Sequence, residues 1–179
     1  MLWNDAHVDF NTNETLPSGN VHGRPLAVST GLGLPDLLSV CHTIPMMPAK
    51  NVYQVAIRSV DKKEKLLVIK SGITVYDMRH IDEIGIRKTM QEILQEVSDK
   101  GAHLHVSFDV DSLDPPIAPG VATTIPGGLT YREAQLCMEM VHDSGLMGSL
   151  DIAEINPALD IKNSTAKIAV DLSASLFGR

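Results

Sequence analysis

The sequence predicts an α/β fold, with a mainly parallel sheet covered by helices on both faces to give three layers. Three observations lead there. Short apolar, β-branched runs alternate with segments whose apolar residues recur at helical spacing, the pattern of strand–helix–strand units. The 179 residues are the size of one ordinary domain. Neither an internal repeat nor a linker divides them.

The elements can be justified in order. Met1-Leu2-Trp3 reads as extended and runs at once into acidic residues and a histidine. Val52–Ile57, Ile73–Tyr76, Leu104–Phe108 and Gly148–Ile152 are the other strand runs. Asp61 precedes a helical stretch. Ile86, Met90, Ile93, Leu94 and Val97 form one helix face, and Lys100-Gly101 stops that helix. Thr130-Tyr131-Arg132-Glu133 is a capping box, backed by the stripe Ala134, Cys137, Met138 and Val141. A last helix spans Ala166–Phe177. A parallel strand so close to Met1 needs neighbours or a covered edge. The reading is therefore of one incomplete domain, residues 1–179, whose sheet has an open edge and some uncovered apolar surface.

Composition excludes several classes. Acidic residues exceed basic ones, with a net charge of −7, which is unlike a nucleic-acid binder with a concentrated positive surface. No apolar run approaches the ~18 to 20 residues of a membrane span, and the first residues lack the basic flank and apolar core of a signal peptide. Cys41 and Cys137 are the two cysteines and lie far apart, so a reducing, cytoplasmic setting is expected.

The informative polar residues sit at strand C-terminal ends, where open α/β sheets place ligands. Asp5-Ala6-His7-Val8-Asp9 puts three possible ligands at alternate positions, on one side of an extended backbone. Asp109 and Asp111 end an apolar strand before Pro115-Pro116. Either cluster alone reads equally as caps and solvated turns. Together, four carboxylates and an imidazole against apolar strands repel one another strongly unless cations join them. Oxygen donors with a little imidazole suit manganese better than zinc or copper.

DAHVD, SFDVDSLDP and NTNETLPSGNVHG resemble the ureohydrolases, and among them the arginases most closely. The similarity continues through Ile57–Asp61, Gly127–Glu133 and Ser149–Pro157, in order along the whole chain. The resemblance implies an arginase/deacetylase-like fold and hydrolysis of L-arginine to L-ornithine and urea, with two manganese ions per subunit. Asp5 and Asp109 would bridge the ions, Asp9 would bind the first, and His7 and Asp111 the second. Asn11 and Ser18 would read the α-carboxylate of arginine, and Asp61 its α-amino group, with Glu64 a further candidate. His22 would shuttle protons, Glu154 would lie beside the guanidinium, and Thr123 would fall in a loop closing the pocket.

Two ions about 3.5 to 4 Å apart can hold one water as hydroxide, and an imidazole titrating near neutrality can protonate the departing amine. The resemblance also implies an upstream Gly-Gly-Asp-His segment that completes the first site. The chain thus reads as N-terminally truncated, with its first site impaired and its activity reduced.

Bland readings stand beside these. Asp61 is a plausible N-cap, and Glu154 before Asn156-Pro157 is a plausible turn cap. His42, His80, His103, His105 and His142 read as structural or exposed. Two other readings concern the whole chain: a ureohydrolase acting on agmatine or another guanidino compound, and a non-catalytic remnant. Trimers or hexamers are expected by resemblance.

Overall fold

β1 (Leu2–Asn4) lies in the middle of the sheet, although it comes first in the chain. A computed structural model describes residues 1–16, 19–40 and 42–179; the expectations for Ser18 and Cys41 lie outside the described residues. β2 (Tyr53–Ile57) pairs with one side of β1, and β3 (Thr74–Asp77) pairs beyond it. The chain then crosses to the other side of β1, where β4 (Leu104–Asp109) and β5 (Met147–Ala153) follow. The order is β3-β2-β1-β4-β5 and every pairing is parallel. The strand runs read from sequence match these four later strands to within one or two residues.

Two apolar clusters form because successive strand residues point to opposite faces. Leu2 packs with Tyr53, Val55, Val106 and Phe108 on one face. Trp3 packs with Val52 and Ile57 on the other, together with Val8 and Phe10. Against the first face lie α5 (Ile86–Asp99), α6 (Tyr131–Ser144) and α7 (Ser164–Leu176). α5 buries Ile86, Met90, Ile93, Leu94 and Val97, the face expected from their spacing. Against the second face lie α1 (Pro25–Ser29) and α3 (Lys62–Ser71), through Leu26, Ala27 and Val68. Three layers result.

Helices α1, α2 (Pro35–Leu38) and α4 (Met78–Ile84) are additions to the sequence reading. α4 starts directly at the end of β3, where the Asp77 side chain accepts from the His80 N–H at 2.8 Å. Edge strand β5 is the least covered part of the sheet. Ile152 is 40% exposed, and Ile155 just beyond is 37% exposed. β1 has neighbours on both sides, and the two outer strands of the sheet are β3 and β5.

The capping box on α6 is formed in both directions. Thr130 Oγ1 accepts from the Glu133 N–H at 3.3 Å, and Glu133 Oε2 accepts from the Thr130 N–H at 2.8 Å. Thr130→Ala is expected to cost ~1 kcal/mol and to lower the unfolding midpoint by about 2 to 4 °C. Thermal unfolding followed by circular dichroism checks this; an unchanged midpoint would mean that the box contributes nothing.

Candidate active site

The chain runs from β1 to one side of the sheet and from β4 to the other, so the connections leaving these adjacent strands diverge and open a crevice at their C-terminal ends. Register fixes what faces it. Asn4 pairs with Phe108, so one step further Asp5 comes beside Asp109. The 3-10 turn Val110–Ser112 then swings Asp111 toward the Asp5–His7 turn. His7 Nδ1 lies 2.9 Å from Asp111 Oδ2 and 3.5 Å from Asp5 Oδ1. Asp111 Oδ1 accepts from the Ala6 N–H at 3.0 Å, and Asp5 Oδ2 accepts from Trp3 Nε1–H at 2.9 Å. Ligand atoms of Asp5, His7 and Asp111 all lie within 4.8 Å of one another.

The alternation expected across Asp5, His7 and Asp9 breaks at the last residue. Asp9 has φ 54°, in the left-handed region. Val8 and Phe10 both lie in the apolar cluster on the α1–α3 face, and the Asp9 carbonyl accepts from the Ala27 N–H at 3.3 Å. Asp9 and Asp109 still face the same cavity, of about 200 Å³.

Every other described candidate lines that cavity too: Asn11, His22, Asp61, Glu64, Thr123 and Glu154. Asp61 and Glu64 form the capping box of α3. Glu64 also reaches across, its Oε1 accepting from the Phe10 N–H at 2.8 Å while Oε2 accepts from the Asp61 N–H at 3.2 Å. Its carboxylate thus braces the loop after β1 against α3. Asn11 Nδ2 donates to Asp61 Oδ2 at 3.3 Å, leaving the buried Asn11 Oδ1 without a partner among the described residues. The cap and binding readings of Asp61 are compatible, since one carboxylate oxygen faces Asn11 at the cavity. Glu154 has φ 64°, and its Oε2 accepts from the Ala122 N–H at 3.3 Å, beside Thr123. His22 sits in the exposed 3-10 turn Val21–Gly23. Ser59, Leu16 and Ala122 line the cavity without having been singled out.

Electrostatics mark the cluster as crowded. Burial, reinforced by neighbouring carboxylates, pushes Asp109 up to about 10 and Asp9 up to about 9. Burial raises Asp5 to about 7, against hydrogen bonds with His7 that lower it. Burial alone would raise Asp111, but the His7 and Ala6 hydrogen bonds outweigh it and hold this carboxyl below its ordinary range. Burial works against a charged His7, yet Asp111 and Asp5 overcome it and raise the imidazole to about 10. A proton on His7 and a divalent ion are therefore alternative counter-charges for the same carboxylates. The donor set, carboxylate oxygens plus imidazole, fits a hard-to-borderline divalent ion.

The sign of the pH dependence follows. Asp5, Asp9, Asp109 and His7 have folded-state values above their ordinary ones. The folded chain then holds protons that the unfolded chain releases, so stability falls as pH rises through this window. In chelator, the unfolding midpoint should drop between pH 5.5 and pH 8.5. Saturating Mn²⁺ should reverse that slope, because ligation needs deprotonated groups. A midpoint rising with pH in chelator would contradict the arrangement.

The arginase family model matches residues 1–178. The arginase of Agrobacterium fabrum is 51% identical over 183 residues, covering all of this chain and 55% of that protein. The crystal structure of arginase from Bacillus subtilis superposes with a TM-score of 0.95 at 46% identity, over 99% of this chain and 61% of that one. The native arginase of Bacillus caldovelox gives a TM-score of 0.97 at 43% identity, over 99% and 60%. The chain thus spans 55% to 61% of the length of these proteins. With the match unbroken from β1 through α7, the chain belongs to the arginase family.

Proposed function

We propose that this chain carries the ion-holding and guanidinium-facing part of an arginase, and that it supports manganese-dependent hydrolysis of L-arginine to L-ornithine and urea. One observation carries the reading: Asp5, His7 and Asp111 converge in the cavity that Asn11, Asp61 and Glu154 also line. Asp5, His7 and Asp111 would hold one ion; Asp9 and Asp109, with Asp5, would contribute to a second. Bound divalent cations supply the Lewis acidity that makes water a nucleophile near neutral pH. Glu154, oriented by the Ala122 N–H, presents a planar carboxylate to a planar guanidinium. His22, at the exposed mouth, delivers a proton to the amine as it leaves. Asn11 and Asp61 together meet the α-amino and α-carboxylate groups, which agmatine lacks in part.

The two ion sites are unequal in this chain. Asp9 and Asp109 do not belong to the converging trio. Calorimetric titration with Mn²⁺ is expected to resolve one tight and one markedly weaker site; two equally tight sites would contradict this. Turnover of the isolated 179 residues should fall well below that of a full-length relative.

Glu154→Gln should cut turnover of arginine by roughly 10²-fold or more, by weakening a charge-assisted contact at the reacting group. Asp61→Asn should mainly raise KM, since the lost contact lies away from the reacting carbon. Turnover of agmatine faster than that of arginine would overturn the substrate assignment in favour of a related ureohydrolase.

A further inference from the structure

Arg58 follows β2 and has no part in the reading above, yet it touches both halves of the ion-holding trio. Its backbone N–H, like that of Ser59, donates to the Ala6 carbonyl at 2.9 Å, between Asp5 and His7. Its guanidinium turns the other way. Nη2 donates to the Asp111 carbonyl at 2.8 Å and the Leu113 carbonyl at 3.2 Å, and Nη1 to the Ser112 carbonyl at 3.2 Å. Nε and Nη2 also donate to the Ile125 carbonyl, at 3.0 and 2.7 Å, and Nη1 to the Ala56 carbonyl at 3.2 Å.

Every one of these acceptors is a backbone carbonyl. They belong to the end of β2, the turn carrying Asp111, and the segment that brings Ala122 and Thr123 to the cavity. Burial works against the charge of this guanidinium, and the carboxylates of Asp111, Asp114 and Asp5 work for it. The packing leaves little slack, since a Cβ at Gly128 would lie 2.6 Å from Arg58 Nη2 and 2.6 Å from the Leu113 carbonyl carbon. A rigid planar fork with five donors can serve this set of carbonyls. An ammonium with three donors on a flexible stem cannot.

We infer that Arg58 is a positioning residue, which fixes the spacing between the Asp5–His7 turn and the Asp111 turn and so sets the divalent-ion affinity of the trio. The inference rests on the reading that this trio holds an ion. Groups that orient metal ligands typically contribute about 10- to 100-fold in affinity. A residue that merely supports the fold would lower stability and leave affinity alone.

The test compares Mn²⁺ titration of the wild-type chain, Arg58→Lys and Met138→Ala by calorimetry. Met138 lies on the buried face of α6 among apolar residues, and its truncation serves as the stability control. Arg58→Lys should weaken the tighter site by about tenfold or more, whereas Met138→Ala should shift it by less than about twofold, as expected for an uncoupled position. Arg58→Lys binding Mn²⁺ as tightly as wild type overturns the inference while leaving the proposed function standing. Wild type binding no Mn²⁺ overturns both.

Should Arg58→Lys fail to fold, the wild-type chain provides a second readout. Hydrogen exchange of the Arg58 Nε–H, followed by ¹⁵N NMR, should slow by about tenfold on saturation with diamagnetic Zn²⁺, because coupling between two sites is reciprocal. An exchange rate unchanged by Zn²⁺ overturns the inference.

Discussion

Parallel pairing of β1 with β4 brings carboxylates together whether or not electrostatics favours it. The backbone register puts Asp5 beside Asp109, and the two turns that follow bring His7 and Asp111 to 2.9 Å. Hydrogen-bonded strands and the apolar residues beneath them hold this crowding in place. Leu2, Val106 and Phe108 are buried on one face and Trp3 on the other, and burying each such side chain is worth ~1.5 to 3 kcal/mol. The sheet therefore meets the cost of concentrating negative charge, and charge compensation becomes a demand on whatever enters the crevice. A protonated His7 meets part of it, and a divalent ion would meet more.

The same constraint explains the surrounding loops. Each segment that enters the cavity is tied to a neighbour by a side chain bonded to backbone: Glu64 to Phe10 and Asp61, Arg58 to three stretches, and Arg24 to Gly19. Arg24 also donates to Asn13. These ties satisfy backbone groups that irregular segments would otherwise leave exposed or buried unpaired. Arg24 and Arg58 hold the loop carrying His22 and the loop carrying Thr123 through cationic side chains, while Glu64 adds its carboxylate to the cavity wall near Asp9.

Much of this was legible in the sequence, and the reasons can be read residue by residue. The stripe Ile86, Met90, Ile93, Leu94 and Val97 announced α5, and Thr130 with Glu133 announced the start of α6, because both signals are local. Asp5, His7, Asp9, Asp109 and Asp111 could be grouped because strand C-terminal ends share one edge of a parallel sheet. The left-handed turn at Asp9 was hidden, since its carbonyl pairs with the distant Ala27 N–H and no local residue pattern marks it. Arg58 and Arg24 were hidden for a different reason. The partners of Arg58 are backbone carbonyls, which every residue carries, and Arg24 pairs with one such carbonyl and with a single amide in an irregular loop, so no pattern of side chains points to either. α4 lay between a strand and a longer helix, where Asp77 as its cap was the one local cue.

The cavity joins regions held with unequal firmness. Its ion-holding end lies on β1 and β4, strands with neighbours on both sides. Glu154 follows β5, which pairs with β4 alone and carries the exposed Ile152. What restrains Glu154 further is a chain of loop contacts. The Ala122 N–H meets its carboxylate, the Asn156 N–H meets the Gly120 carbonyl at 2.8 Å, and the Gly120 N–H meets Thr165 Oγ1 at 2.8 Å. Asp160 closes that chain by accepting from the Thr165 and Ala166 N–H groups at the start of α7. Local opening should therefore begin at the β5 edge and reach Glu154 before it reaches Asp5 or Asp111, because local stability follows buried contact. Any surface that pairs with the free edge of β5 would then stiffen the guanidinium-facing end of the cavity more than the ion-holding end.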